Sequence, residues 1–246
     1  MHNPNYILIP IDLCFFSITN RFERPFQLYM HLKSKCDGVI KINSSELKEI
    51  ANELGLKSTK TIQSNLKKLI QKNWIGYNEN NGCYYVRGFD SLKLRESFTR
   101  RTAAEFDSKD IKKFKAFLAG AVIGYLAISQ KRRKQRAERE MRRSNQALCN
   151  LSNYFPVAGM GLAKILSISC SKASRLKIDA RKARYIRVKK NFNELTILAN
   201  EAAHYKKVNP EAINKMRYRK QKMWEQLPDL VLPLIRFKRR KKMRTY

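Results

Sequence analysis

The chain has 246 residues and carries 52 Lys and Arg against 20 Asp and Glu, a formal net charge of +32. Hydrophobic residues make up 43% and aromatic residues 10%, which is enough for packed cores and excludes a wholly disordered basic chain. Such a field favours polyanionic partners, nucleic acid first and an acidic membrane surface second.

In chain order, the opening MHNPNYILIPIDLCFF has no basic leader and is interrupted by Pro10 and Asp12, so no secretory signal is expected. RPFQLYMHLKSK predicts a helix with Pro25 at its opening position, and GVIKIN a short strand. Ser44 or Ser45 is placed to cap a helix with Leu47, Ile50, Ala51 and Leu54 facing inward. Gly55 makes a turn, since positive φ carries no steric penalty for glycine. A second helix follows from about Ser58 to Lys72, burying Ile62, Leu66, Leu69 and Ile70. Trp74 to Tyr77 and Cys83 to Arg87 then alternate as strands, joined by the hairpin signal NENNG.

Asp107 or Ser108 can cap a long helix with an apolar stripe of Ile111, Phe114, Leu118, Val122 and Tyr125. Its segment AFLAGAVIGYLAISQ, Ala116 to Gln130, would be about 22 Å long as a helix, short of the ~30 Å hydrocarbon core of a membrane. Ala116, Gly120 and Gly124 recur every fourth residue and permit close helix approach. A packing helix between domains or subunits is the expectation, with Ala116–Ile128 as a possible homodimer seam and membrane contact the outside alternative. Past Gln130 the helix turns basic, KRRKQRAEREMRR, and Arg132, Arg133 and Arg136 are candidates to follow a phosphate backbone. The alternative is a solvated helix face.

RRSNQALCNLSN and NYFPVAG are expected to supply a helix and a strand ahead of GLAKILSISCSKASRLK, a second pair of short helices. There Leu162, Leu166 and Ile168 face the core, Ala163 sits at the crossing, and Ala173 and Leu176 point inward. Ala163 lies 112 positions after Ala51, as Leu166 does after Leu54 and Ile168 after Leu56. A small insertion before Ile62 then breaks the register. A strand is expected from about Arg184 to Lys189. NPEAINKMRYRKQKMWEQL predicts a helix, PDLVLPLIRF an extended strap or partner-binding arm, and KRRKKMRTY a flexible basic tail.

Each helix pair is followed by strand patterns, and here the sequence resembles the winged helix-turn-helix DNA-binding proteins. The tandem arrangement looks like the two-winged-helix replication initiators of plasmids and phages. The resemblance covers about 40–90 and 150–190 and implies double-stranded DNA binding. The expected class is mainly α with small β wings (α+β), with two winged units joined by the long, partly apolar and partly basic helix. The expected division is 1–92, a linker at 93–145, a second unit at 146–195, and a helical and basic tail at 196–246.

Chemistry that would mark an enzyme is absent from the pattern. His2, His31 and His204 are scattered, no HxxR box occurs, and there is no GxxxxGK[ST] phosphate loop. The five cysteines, at 14, 36, 83, 149 and 170, form no CxxC or CxH pair, so reduced thiols in an intracellular protein without a zinc site are expected. No cofactor is anticipated. The expectation is a non-catalytic, sequence-specific duplex binder acting in the cytoplasm at the nucleoid, in replication initiation or transcription regulation. A non-specific packaging protein or an RNA binder is the alternative.

The first reading helix would offer Ser58, Thr59, Lys60, Gln63, Ser64 and Lys67, with Gln63 suited to adenine and Lys60 to guanine. The second would offer Ser169, Ser171, Lys172, Ser174, Arg175 and Lys177, with Ser171 and Arg175 as base readers and Lys172 and Lys177 on phosphate. Asn78, Asn80 and Asn81 in the first wing, and Arg187, Lys189 and Lys190 in the second, would reach the flanking backbone or minor groove. Arg239 and Arg240 in the tail would add non-specific affinity.

Overall fold

A computed structural model describes the backbone of residues 6–143, 153–195, 216–219 and 222–239. Among the described residues it is a mixed helical and strand structure with three small sheets. Strand β1 (Tyr6–Pro10) leads into helix α1 (Ile11–Thr19), which buries Ile11, Leu13, Cys14 and Ile18. The sequence pattern did not single out α1, because IDLCFFSIT is rich in aromatic and β-branched residues of modest helix preference.

From α2 to β4 the elements follow as the pattern predicts. Helix α2 (Glu23–Lys35) is followed by strand β2 (Val39–Lys41). Helix α3 (Ser44–Glu53) is capped by Asn43, one residue before the expected serines. The Asn43 side chain accepts from the Glu46 backbone N–H while Glu46 accepts from that of Asn43, a reciprocal box that satisfies two helix-end donors. Helix α4 (Thr59–Gln71) starts from Ser58, whose hydroxyl accepts from Lys60 N at 3.2 Å. Strands β3 (Ile75–Asn78) and β4 (Cys83–Val86) form the expected hairpin. Strand β4 also pairs with β2, giving the order β2-β4-β3.

A short helix α5 (Phe89–Arg95) and strand β5 (Thr102–Asp107) precede a 3₁₀ segment at Ser108–Lys113, capped by Asp107. Helix α6 (Phe114–Arg143) follows. Its stripe is buried as expected at Phe114, Leu118 and Val122, with Ile111 and Tyr125 packed at the edge. It packs on α1 and α2, and on residues 170–182 and 222–233 of the second unit. Phe117, Leu118, Ala119, Ala121, Val122, Ile123 and Ala127 are all 0–1% exposed. Gly120 lies against Tyr185 and Ile235, and Gly124 against Pro233 and Phe237. At Gly120 and Gly124 the close-approach stripe is therefore filled by this same chain, and of the homodimer seam expected at Ala116–Ile128 only Ala116, Tyr125, Leu126 and Ile128 are half-buried, the rest being covered. No helix among the described residues is long and apolar enough to cross a membrane.

The second unit contains strand β6 (Phe155–Pro156), helix α7 (Gly159–Leu166), helix α8 (Cys170–Lys182) and strand β7 (Ile186–Leu195). The helix expected before β6, residues 142–153, lies outside the described residues at 144–152; Arg142 and Arg143 end α6, and Asn153 is in a bend. Three expectations for the C-terminal part are corrected. The described part of the segment predicted as a helix is a pair of strands, β8 (Met216–Arg219) and β9 (Lys222–Pro233). PDLVLPLIRF is no strap: its first half belongs to β9, which pairs with both β6 and β7 in the order β6-β9-β7. The start of the tail, β10 (Phe237–Arg239), is a strand on β5, giving a third sheet in the order β1-β5-β10. Helix-forming Lys, Gln, Met and Glu adopt strand here because the pairing with β7 supplies more than local preference removes.

Candidate nucleic-acid interface

The two helix pairs repeat in geometry as well as in sequence. Gly55 (φ +66°) and Ser167 (φ 52°), 112 positions apart, are the left-handed residues that end α3 and α7. Leu56 N donates to Ala51 O at 2.8 Å, and Ile168 N donates to Ala163 O at 3.0 Å. Past the turn the offset becomes 111. Ser58 and Ser169 cap α4 and α8, each of 13 residues. Asn73 (φ 59°) and Arg184 (φ 62°) end them, and Trp74 N to Leu69 O matches Tyr185 N to Ala180 O, both 2.9 Å. Arg87 N donates to Trp74 O as Leu234 N donates to Tyr185 O. One residue lost between the turn and the cap is the register break that the sequence shows before Ile62. The inward residues are buried as expected: Ile50, Ala51, Leu54, Ile62, Leu66 and Leu69 in the first pair, Leu162, Ala163, Leu166, Ala173 and Leu176 in the second. Leu47, Ile70 and Ile168 are partly covered.

Inward packing of one stripe leaves the other face of each second helix outward. On α4, Ser58, Lys60, Gln63, Ser64 and Lys67 are exposed and Thr59 is half-buried. Lys57, in the turn just ahead, is exposed too and was missed because it lies outside the helical pattern. In the hairpin tip Asn80 and Asn81 are exposed and Asn78 is half-buried. Asn81 is committed to the turn: its Oδ1 accepts from Cys83 N at 3.0 Å and its Nδ2 donates to the Tyr85 hydroxyl at 3.1 Å. Asn78 Oδ1 likewise accepts from Asn80 N at 3.0 Å, which leaves the Asn80 side chain at the exposed tip.

On α8, Ser169, Ser171, Ser174 and Arg175 are exposed. The Ser169 hydroxyl caps the helix by accepting from Lys172 N at 3.2 Å. Two cations of this helix do not lie where phosphate contact would need them. Lys172 is half-buried, 3.5 Å from Glu23 at the start of α2. Lys177 is only 8% exposed, and its ammonium donates to Val157 O at 2.9 Å and to Asp229 Oδ2 at 3.1 Å. Lys177 stands where the first unit has Leu66, so the stem packs like an aliphatic residue while the charge is neutralised by β9. That partner is 52 positions away and left no local signal.

Lys190, on β7, lies 3.0 Å from Asp229 Oδ1 with its own side chain 57% exposed. Burial alone would raise the Asp229 carboxyl; the Lys190 and Lys177 ammonium groups outweigh it and hold the carboxyl below its ordinary value. Arg187 and Lys189 on β7 are exposed, as are Arg132, Arg133 and Arg136 on α6. Arg239 is exposed on β10, so it is held in a sheet and not in a loose tail, and Arg240 lies outside the described residues. Among the described residues no cluster of three or more His, Cys, Asp or Glu is arranged to hold a metal ion. No protein-family model matches this chain, and neither a curated protein nor a solved structure matches it.

Proposed function

We propose that this chain is a non-catalytic, sequence-specific double-stranded DNA-binding protein with two winged helix-turn-helix units, acting at the nucleoid in replication initiation or transcription regulation. The observation that carries the reading is the repeat: two helix–turn–helix pairs with matching left-handed turns, each followed by a strand pair in a sheet of the same order, and each turning a polar face of its second helix to solvent. A helix of that kind fits the major groove, and the adjoining hairpin reaches the flanking backbone.

The two heads divide the work unequally. Lys60, Gln63, Ser64 and Lys67 of the first align, 111 positions on, with Ser171, Ser174, Arg175 and Ile178 of the second. The first head therefore supplies more charge, and the second relies on Arg175 for a bidentate guanine contact. Arg132, Arg133, Arg136, Arg187 and Lys189 add phosphate contacts.

Selection from a random duplex library, followed by titration on matched and scrambled duplexes, tests the proposal. Six engaged phosphates would give a slope of log K against log salt of about −5. Arg175→Ala should relax the preference for the matched duplex, while Arg132→Ala with Arg133→Ala should weaken both duplexes alike. Equal binding of the parent to matched and scrambled duplexes would instead favour a packaging protein, and a preference for RNA would favour an RNA binder.

A further inference from the structure

A cavity of about 470 Å³ opens beside the outward face of α8, between the start of α7 and the paired strands β7 and β9. Its volume is within the roughly 300–1,000 Å³ of ligand pockets. The first unit has no counterpart in residue type: Ile178, which lines the cavity, aligns with Lys67, and Lys177, also lining it, aligns with Leu66. The second head has thus exchanged a surface cation for an apolar wall and placed a charged latch at the base.

The lining has two characters. Met160, Ile178 and Pro228 are apolar, and Met160 and Ile178, 69% and 43% exposed, turn neighbouring apolar side chains to the same opening. Ser174 and Gln226 bring hydrogen-bonding groups to the same space. Asp229 is 9% exposed, and its Oδ1 faces the Lys190 ammonium at 3.0 Å. A carboxylate oxygen has two lone pairs and can accept from a second donor, such as an exocyclic amino group. Lys190, half out in solvent at the rim, is placed for an anion.

Apolar walls, a few hydrogen-bonding groups and a cation at the mouth are the requirements of a flat heterocycle joined to a phosphate. We infer that this cavity accepts an unpaired nucleobase of a bound strand, with the base against Met160, Ile178 and Pro228, its edge toward Ser174, Gln226 and Asp229, and its phosphate at Lys190. The inference rests on the proposed DNA binding and adds a local preference for distorted or opened duplex, since extruding a base costs least where it is already unpaired.

The test uses the full chain and three probes: a fully paired duplex, the same duplex with one bulged 2-aminopurine, and the free mononucleotide. The bulged duplex should bind about tenfold more tightly than the paired one, equivalent to about 1.4 kcal/mol, with a change in 2-aminopurine fluorescence. Met160→Trp, which fills the cavity from an exposed position at the start of α7 and off the reading face of α8, should erase that preference and leave the paired duplex bound as before. A second variant, Pro228→Trp on the β9 wall, should act in the same way, so that a fold disturbed by one substitution does not decide the test. Equal affinity of the parent for bulged and paired duplexes overturns the inference, as does a mononucleotide that competes as well as the bulged duplex, which would make the cavity an effector site. Failure to bind any duplex overturns the DNA-binding proposal itself and is read separately in the paired arm.

Discussion

The seam between α6 and the second unit can be tested at one atom. A Cβ added at Gly120 would lie 2.5 Å from Tyr185 Cβ and 3.2 Å from Ile235 Cδ1. Carbon atoms prefer about 3.5–4.0 Å, so the contact with Tyr185 needs a shift of about 1 Å. That neighbour is a Cβ fixed to backbone, not the free end of a side chain, and Tyr185 N is already bonded to Ala180 O. Overpacking costs about 1–3 kcal/mol, and this geometry belongs at the upper end. The helix itself gains about 1 kcal/mol when glycine becomes alanine. Gly120→Ala should therefore destabilise the chain by about 2 kcal/mol, lowering the urea midpoint by about 1 M. Gly124→Ala is the control: its nearest atoms are Pro233 Cβ at 3.1 Å and the Phe237 ring tip at 3.2 Å, where a small adjustment suffices, and its cost should stay within about 1 kcal/mol. If Gly120→Ala matches or exceeds the parent in stability, α6 does not pack on Tyr185 and the seam is wrong.

Lys177→Ala should cost about 3 kcal/mol in denaturant unfolding, the lower end for a broken buried pair because Lys190 still faces Asp229. Lys177→Leu combined with Asp229→Asn should regain most of that loss. The same carboxyl gives a pH dependence. Its folded value lies below its unfolded one, so its stabilisation is complete above about pH 4 and is lost as pH falls through the folded value. The parent should lose more stability than Asp229→Asn between about pH 6 and about pH 3 in parallel urea titrations. Ser167 adopts a left-handed conformation at the place where the first unit has Gly55, so Ser167→Gly should raise thermal stability by about 1 kcal/mol. A lower melting temperature would contradict the turn equivalence.

The first unit was legible because its signals are local. A capped helix, a turn glycine, an apolar stripe and an asparagine-rich hairpin all fall within about fifty consecutive residues, and the structure has each of them there. The second unit was legible through β6, α7, α8 and the start of β7. Its central strand β9 was hidden by Pro228 and Pro233, which argue against a paired strand. The structure accommodates Pro228 at a break in register: Lys189 pairs with Leu230, but Asn191 pairs with Leu227, leaving an irregular stretch where a missing N–H is tolerated. The candidate reading faces were largely legible, since an outward stripe follows from an inward one. The exceptions were Lys172 and Lys177, whose acids come from α2 and β9 and could not be found from helical spacing.

Strand β5 is flanked by β1 on one side and β10 on the other. Phe237 of β10 faces Ala104 of β5, so this small sheet waits for a partner synthesised far later than its centre. Helices α2 to α4 and the β2-β4-β3 sheet can assemble from neighbouring chain, while the edge beside β5 stays open during synthesis. An open edge invites pairing with other chains, and distant pairings form slowly. Newly made molecules should thus pass through a half-closed form, in which the first unit is built before β10 closes the edge of β5.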